Sequence, residues 1–243
     1  MQLAQFKVLT FDCYGTLIDW EAGIFHALQP LLAERQDGIP REAALAAFAR
    51  HESAQEAETP AKIYSDLLAA VHRRLAAEWR VVVPEADHVA FGQSVGDWPA
   101  FPDSAASLRY LKTHYKLVIL SNVDRSSFAR SNKRLEVEFD AVYTAQDIGS
   151  YKPDPRNFGF MLEKLAERGY GRGDILHTAQ SLFHDHGPAN LAGLASAWID
   201  RRHDRQGWGA TAKPAGSPKY DFRFTSMADM VKAHQQEQPA RHS

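Results

Sequence analysis

A single cysteine among 243 residues has nothing to pair with. No internal disulfide framework can form, and a reducing compartment fits. Long apolar runs are missing too, so no segment reads as a membrane-crossing helix. The first residues show no basic stretch followed by an apolar core, so no secretion signal is read there. Nor does charge of one sign accumulate. Lysine and arginine total 28 against 30 aspartate and glutamate, a net charge of −2, which argues against a polyanion or a membrane surface as partner. These absences predict a cytoplasmic protein with no nucleic-acid and no membrane partner. What is present is ordinary for a soluble globular chain, 44% apolar and 24% charged. The length allows one large domain or a core with an insertion. No internal repeat is visible.

Short apolar runs at residues 6–11, 117–121, 141–144, 175–178 and 195–199 read as strands, with a last strand near 221–224. Helical patterns or loops follow each one. That alternation predicts an α/β fold, a parallel sheet with helices on both faces. Residues 19–98 break the pattern. They are rich in Ala, Leu, Glu and Arg at helical spacing, as in Leu67-Leu68-Val71-Leu75. The expected organisation is a core domain of residues 1–18 plus 99–234 and an all-helical cap domain of residues 19–98. Pro99, Pro102 and Asp103 mark the return to the core, with Ser104 a candidate helix cap. Residues 206–218, rich in Gly, Ala and Pro, read as a surface loop. Residues 235–243 read as a disordered tail.

The most informative run is Phe11-Asp12-Cys13-Tyr14-Gly15-Thr16. Asp12 falls at the carboxyl end of the first strand, and Gly15 lets the chain turn away. Open α/β sheets place their chemistry at that edge. A carboxylate there can act as a nucleophile, or simply cap a turn. Tyr14 stands two residues on. An acid at that position would be a proton donor for a phosphate leaving group, and none is present. Alternation along a strand turns Cys13 to the opposite face from Asp12.

Asp12-Cys13-Tyr14-Gly15-Thr16 resembles the first motif of the haloacid dehalogenase superfamily. Leu120-Ser121-Asn122 resembles its second, Tyr151-Lys152-Pro153-Asp154-Pro155 its third, and the run from His177 to Asp185 its fourth. Tyr14 is similar to the 2-haloacid dehalogenase branch. The resemblance implies a Rossmann-like core with a helical cap. It implies hydrolytic dehalogenation of short 2-haloalkanoic acids, with Asp12 attacking the halogen-bearing carbon and water hydrolysing the resulting ester. Lys152, Asp185 and Thr16 join Asp12 as catalytic residues by this resemblance. Ser121, Asn122, Arg50, Tyr14 and Ser181 are the implied contacts to substrate or halide. Phe158 departs from the pattern, standing where dehalogenases often carry a tyrosine.

Magnesium phosphatases of the superfamily usually carry an acid where Gln180 stands. Mg²⁺ requires hard, charged oxygens, and Asp12 with Asp185 alone would be a poor site. The expectation is therefore no cofactor and no metal. His184-Asp185-His186 suggests a metal site, but successive residues on a helix cannot face one point. The competing enzyme reading is a phosphatase on a small phosphorylated metabolite. A non-enzymatic regulatory relative is the third class, disfavoured by the presence of Asp12, Ser121, Asn122, Lys152 and Asp185 together. Trp20, Phe25 and Trp98 either line the pocket or pack the hinge, with packing the preferred reading, and a homodimer is the default assembly.

Overall fold

The computed structural model describes residues 1–35, 37–214 and 216–238. Six parallel strands form one sheet in the order β3-β2-β1-β4-β5-β6. They are β1 (Val8–Phe11), β2 (Lys116–Ser121), β3 (Ala141–Thr144), β4 (Ile175–Ala179), β5 (Ala195–Ile199) and β6 (Phe222–Phe224). β1 lies between β2 and β4, with Phe11 paired to Ile119 on one side and Thr178 on the other. Every residue of β1 is buried. Its apolar run, unbroken by alternation, suits a strand covered on both faces. The chain leaves β1 in one direction for β2 and later returns to β4 on the other side. That reversal opens a crevice beyond the carboxyl end of β1.

Between β1 and β2 run α1 (Trp20–Ala27), α2 (Gln29–Ala33), α3 (Arg41–Glu58), α4 (Tyr64–Trp79), α5 (Glu85–Gln93) and α6 (Ser104–Lys112). Among the described residues, no strand interrupts residues 19–98. α3 and α4 pack through Leu45, Phe48, Leu67, Leu68, Val71 and Leu75, all buried. α1 starts where the Asp19 side chain accepts a hydrogen bond from the Ala22 amide at 3.1 Å. The remaining helices are α7 (Arg125–Asn132), α8 (Ala145–Ile148), α9 (Pro155–Ala166), α10 (Gly187–Leu191) and α11 (Met227–Glu237). Among the described residues, no helix is long and apolar enough to cross a membrane.

Three sequence expectations need correction. The first strand begins at Val8, because Leu3–Gln5 form a short 3₁₀ turn. Asp103, not Ser104, holds the cap position of α6; Ser104 lies inside the helix and its hydroxyl donates to the Leu17 carbonyl at 2.7 Å. The tail expected from residue 235 is helical as far as Glu237, whose carboxylate accepts the Ala4 amide at 2.8 Å. Residues 239–243 of that expected tail lie outside the described residues.

Candidate active site

The site forms where the carboxyl ends of β1, β2 and β4 meet. Asp12 follows β1, and its amide donates to the Thr178 carbonyl at 3.1 Å. Gly15 then turns the chain with φ +94°, a conformation that disfavours a side chain. A Cβ there would also stand 3.1 Å from both Trp20 Nε1 and Gln180 Oε1. The turn brings Thr16 back over Asp12. Its hydroxyl donates to Asp12 Oδ2 at 2.8 Å and accepts the Gln180 amide at 2.9 Å. The first and fourth segments are thereby tied together.

Lys152 is fully enclosed, 1% exposed. An ammonium has three hydrogens to donate, and all three are engaged. They go to Asp12 Oδ1 at 3.0 Å, Asp185 Oδ1 at 2.6 Å and the Leu120 carbonyl at 3.0 Å. Asn122 fixes the backbone that carries it: Oδ1 accepts the Lys152 amide at 2.6 Å and Nδ2 donates to the Lys152 carbonyl at 2.9 Å. Burial alone would lower the lysine's pKa, but the two carboxylates outweigh it and raise it, so the ammonium stays charged.

The two aspartates differ. Burial would raise Asp185, yet Lys152 and a hydrogen bond with His177 at 3.0 Å hold it well below the usual carboxylate range. Asp12 has a weaker share of the same cation. Burial raises its carboxyl, Lys152 pulls it down, and Asp185 pushes it up again, leaving it above its ordinary value. Proximity to one shared charge therefore separates two chemically identical groups.

The cavity over Asp12 has a volume of about 30 Å³. Beside Asp12, Lys152 and Asp185 it is lined by Tyr14, Ser121, Asn122 and Ser181, all expected from the sequence. The Ser121 hydroxyl and Asp185 Oδ2 have no hydrogen-bond partner among the described residues. A buried polar atom without a partner is costly, so these two positions are suited to a ligand or to water. The Tyr14 hydroxyl, by contrast, is engaged with Ser131 at 2.8 Å. Gln180 does not line the cavity; its side-chain oxygen accepts from Thr211 at 3.3 Å.

The haloacid dehalogenase-like hydrolase family matches residues 6–197, the span that carries every one of these groups except Thr211. The chain belongs to this family. Three solved structures share the fold across nearly the whole chain. A defluorinating L-2-haloacid dehalogenase is 20% identical, covers 96% of this chain and 98% of its own, and has a TM-score of 0.76. An L-2-haloacid dehalogenase from Xanthobacter autotrophicus, with chloropropionic acid covalently bound, is 19% identical over 96% and 100%, with a TM-score of 0.75. A putative hydrolase of the superfamily from Bacillus subtilis, bound to magnesium, is 16% identical over 95% and 99%, with a TM-score of 0.72. No curated protein matches the chain.

In this hydrolase Arg50, expected to reach substrate or halide, lies elsewhere. It is exposed on α3 and paired with Glu78 at 2.9 Å. Its helix turns it toward solvent because the buried face runs through Leu45, Phe48, Ala49 and Glu52 instead. Arg50→Ala is expected to leave turnover unchanged and to cost no more than about 1 kcal/mol, the worth of an exposed ion pair. A melt and a turnover assay on that variant check both.

Sequence reasoning missed the wall facing Asp12. It is built from Trp20, Glu52, Glu56, Tyr64 and His184. Of the two readings offered for these tryptophans, lining the pocket holds for Trp20, which borders the cavity, while Trp98 packs edge-on against Tyr14 at 5.8 Å. His184 and His186 diverge: His184 reaches the cavity, and His186 lies between Ser196 and the Ala179 carbonyl, both at 3.0 Å. A turn of π-helix over Leu182–His186 separates them. Phe158 meets the His177 ring edge-on at 4.9 Å, behind Asp185 and outside the cavity. Cys13 is buried and its thiol is pushed well up by burial, as an inert residue requires.

Proposed function

We propose that this hydrolase releases halide from a carbon next to a carbonyl, through an ester formed on Asp12. Short 2-haloalkanoic acids, the class in the names of two of the similar structures, are the parent substrates. Asp12 attacks the carbon, the carbon–halogen bond breaks, and halide departs with the bonding electrons. Water then adds to the ester carbonyl, the acyl–oxygen bond breaks, the 2-hydroxy product leaves carrying one of the water's protons, the other passes to solvent, and the Asp12 carboxylate is regenerated. Asp185 Oδ2, buried without a partner, accepts a hydrogen bond from that water and orients it. The helices of residues 19–98 act as the cap that closes the site and keeps bulk water out.

The observation that carries this reading is Lys152 Nζ joining Asp12 Oδ1 and Asp185 Oδ1. One ammonium offsets one of the two carboxylate charges, and displacement at carbon needs only an ionised nucleophile, so it needs no metal. The phosphatase reading needs Mg²⁺ to neutralise and align a phosphate. Among the described residues, no group of three or more His, Cys, Asp or Glu side chains is arranged to hold a metal ion.

The test is halide release from chloroacetate, L-2-chloropropionate and 2-chloropropionamide, beside a generic phosphate ester. Each is run with excess chelator and with added Mg²⁺. Undiminished halide release in chelator is the expected result. Phosphate release that chelator abolishes and Mg²⁺ restores would move the assignment to a phosphatase.

A further inference from the structure

The wall opposite Asp12 carries acids where an anionic substrate would need a cation. Glu52 and Glu56 lie one helical turn apart on α3 and face the cavity together. They are 3% and 8% exposed. Lys152 is the cavity's cationic lining residue, and its hydrogens are already committed to Asp12, Asp185 and the Leu120 carbonyl. Asn122 Nδ2 is spent on Glu56 Oε1 at 3.2 Å and on the Lys152 carbonyl. A free substrate carboxylate would therefore find the Ser121 hydroxyl and no cation with a hydrogen left to donate.

Independent atoms in the same cavity lack partners. His184 Nε2 is buried with no hydrogen bond among the described residues, 3.9 Å from Glu56 Oε2. Ser121 Oγ is in the same condition. Burial holds the His184 ring neutral, at about 4, so it brings no charge for an anion either. Burial raises Glu52 to about 8, against the hydrogen bond from Tyr64. Burial, then the neighbouring Glu52, raises Glu56 well above the ordinary value, against Asn122 and Lys152.

We propose that Glu52 and Glu56 select a substrate bearing N–H donors where a 2-haloacid bears its carboxylate, with a 2-haloamide as the favoured class. A carboxyl group and a primary amide are complementary: each has one donor and one acceptor face. A carboxylate ligand instead sets like charge against like as soon as either glutamate ionises. This selection rests on Asp12 as the nucleophile of the same cavity, but binding can be measured without turnover.

The experiment is calorimetric binding of three unreactive probes, propionamide, propylammonium and propionate, to the wild-type chain. It is repeated across about pH 6 to pH 9 and on Glu56→Leu. The groups facing Glu52 and Glu56 over that range are Tyr64, Tyr151, His184, Asp12, Asp185 and Lys152. Propionamide is expected to bind roughly tenfold or more tightly than propionate, since unpaired buried polar groups penalise the wrong ligand. Its affinity should fall as pH rises and the glutamates ionise, and Glu56→Leu should erase the preference. Propylammonium binding best, with affinity rising with pH, keeps the N–H selection and moves the class to amines. Propionate binding best, or no probe binding the wild-type chain, overturns the proposal, and neither result depends on whether the variant folds. Halide release that favours acids over amides would also overturn it while leaving Asp12 chemistry intact. Halide release from neither would remove the dehalogenation reading alone.

Discussion

Asp12→Asn is expected to abolish halide release, by at least about 10³-fold, the scale seen when a nucleophile is removed. The change is nearly isosteric, so the fold should persist. A single turnover in heavy-oxygen water should place label in the Asp12 carboxylate of the wild-type chain, because ester hydrolysis returns one water oxygen to the enzyme. Label found only in the product of a first turnover would mean direct attack by water. The pH profile should carry the same signature. Asp12 must be ionised to attack, and burial with Asp185 raises its carboxyl. Activity should therefore fail on acidification at a pH above the ordinary aspartate value.

Lys152→Met is the second large effect, and it acts on stability as well as rate. Removing the ammonium leaves Asp12 and Asp185 buried with no compensating cation. Breaking a buried pair in this way costs about 3–5 kcal/mol, enough to be evident in a denaturant or thermal melt. The loss should depend on pH with a definite sign. Asp185 has its pKa depressed in the folded wild-type chain. Its stabilising contribution is therefore present above the ordinary carboxylate value and lost as pH falls toward the depressed one. The gap between variant and wild type should be widest near neutrality and narrow in acid. A variant equally stable at neutral pH would mean that the two carboxylates are held by something other than Lys152.

The sheet was legible because its strands are short, apolar and separated by turn signals. All six expected strands coincide with observed ones to within two residues at each end. The positions of Asp12 and Ser121 followed, since Ser121 ends β2 and Asp12 directly follows β1, whereas Asp185, in the π-helical turn beyond β4, was legible only from its motif. Lys152 was legible from its motif, but its engagement with both aspartates needed coordinates. Arg50 was misread because charge and motif order were weighed above helix phase. The buried stripe of α3, Leu45, Phe48, Glu52 and Glu56, advances by three or four residues, and Arg50 is out of step with it. The same stripe contained the missed signal: an apolar face that ends in two acids one turn apart. Such acids read as solvated until something shows them covered. His184 could not be separated from His186 by sequence, because a π-helical turn changes which of them faces inward.

Asp12 and Lys152 are 140 positions apart in sequence, and Asp185 lies a further 33 beyond Lys152. No local segment can therefore assemble even half of this charge triad. It comes together only when β1 has settled between β2 and β4, which closes loops of more than a hundred residues and is the slow class of folding event. During synthesis the first strand, bearing its aspartate, must wait for nearly the whole sheet before that charge is neutralised. Turnover thus reports completed topology, and a truncated or misassembled chain is silent even where its helices have formed.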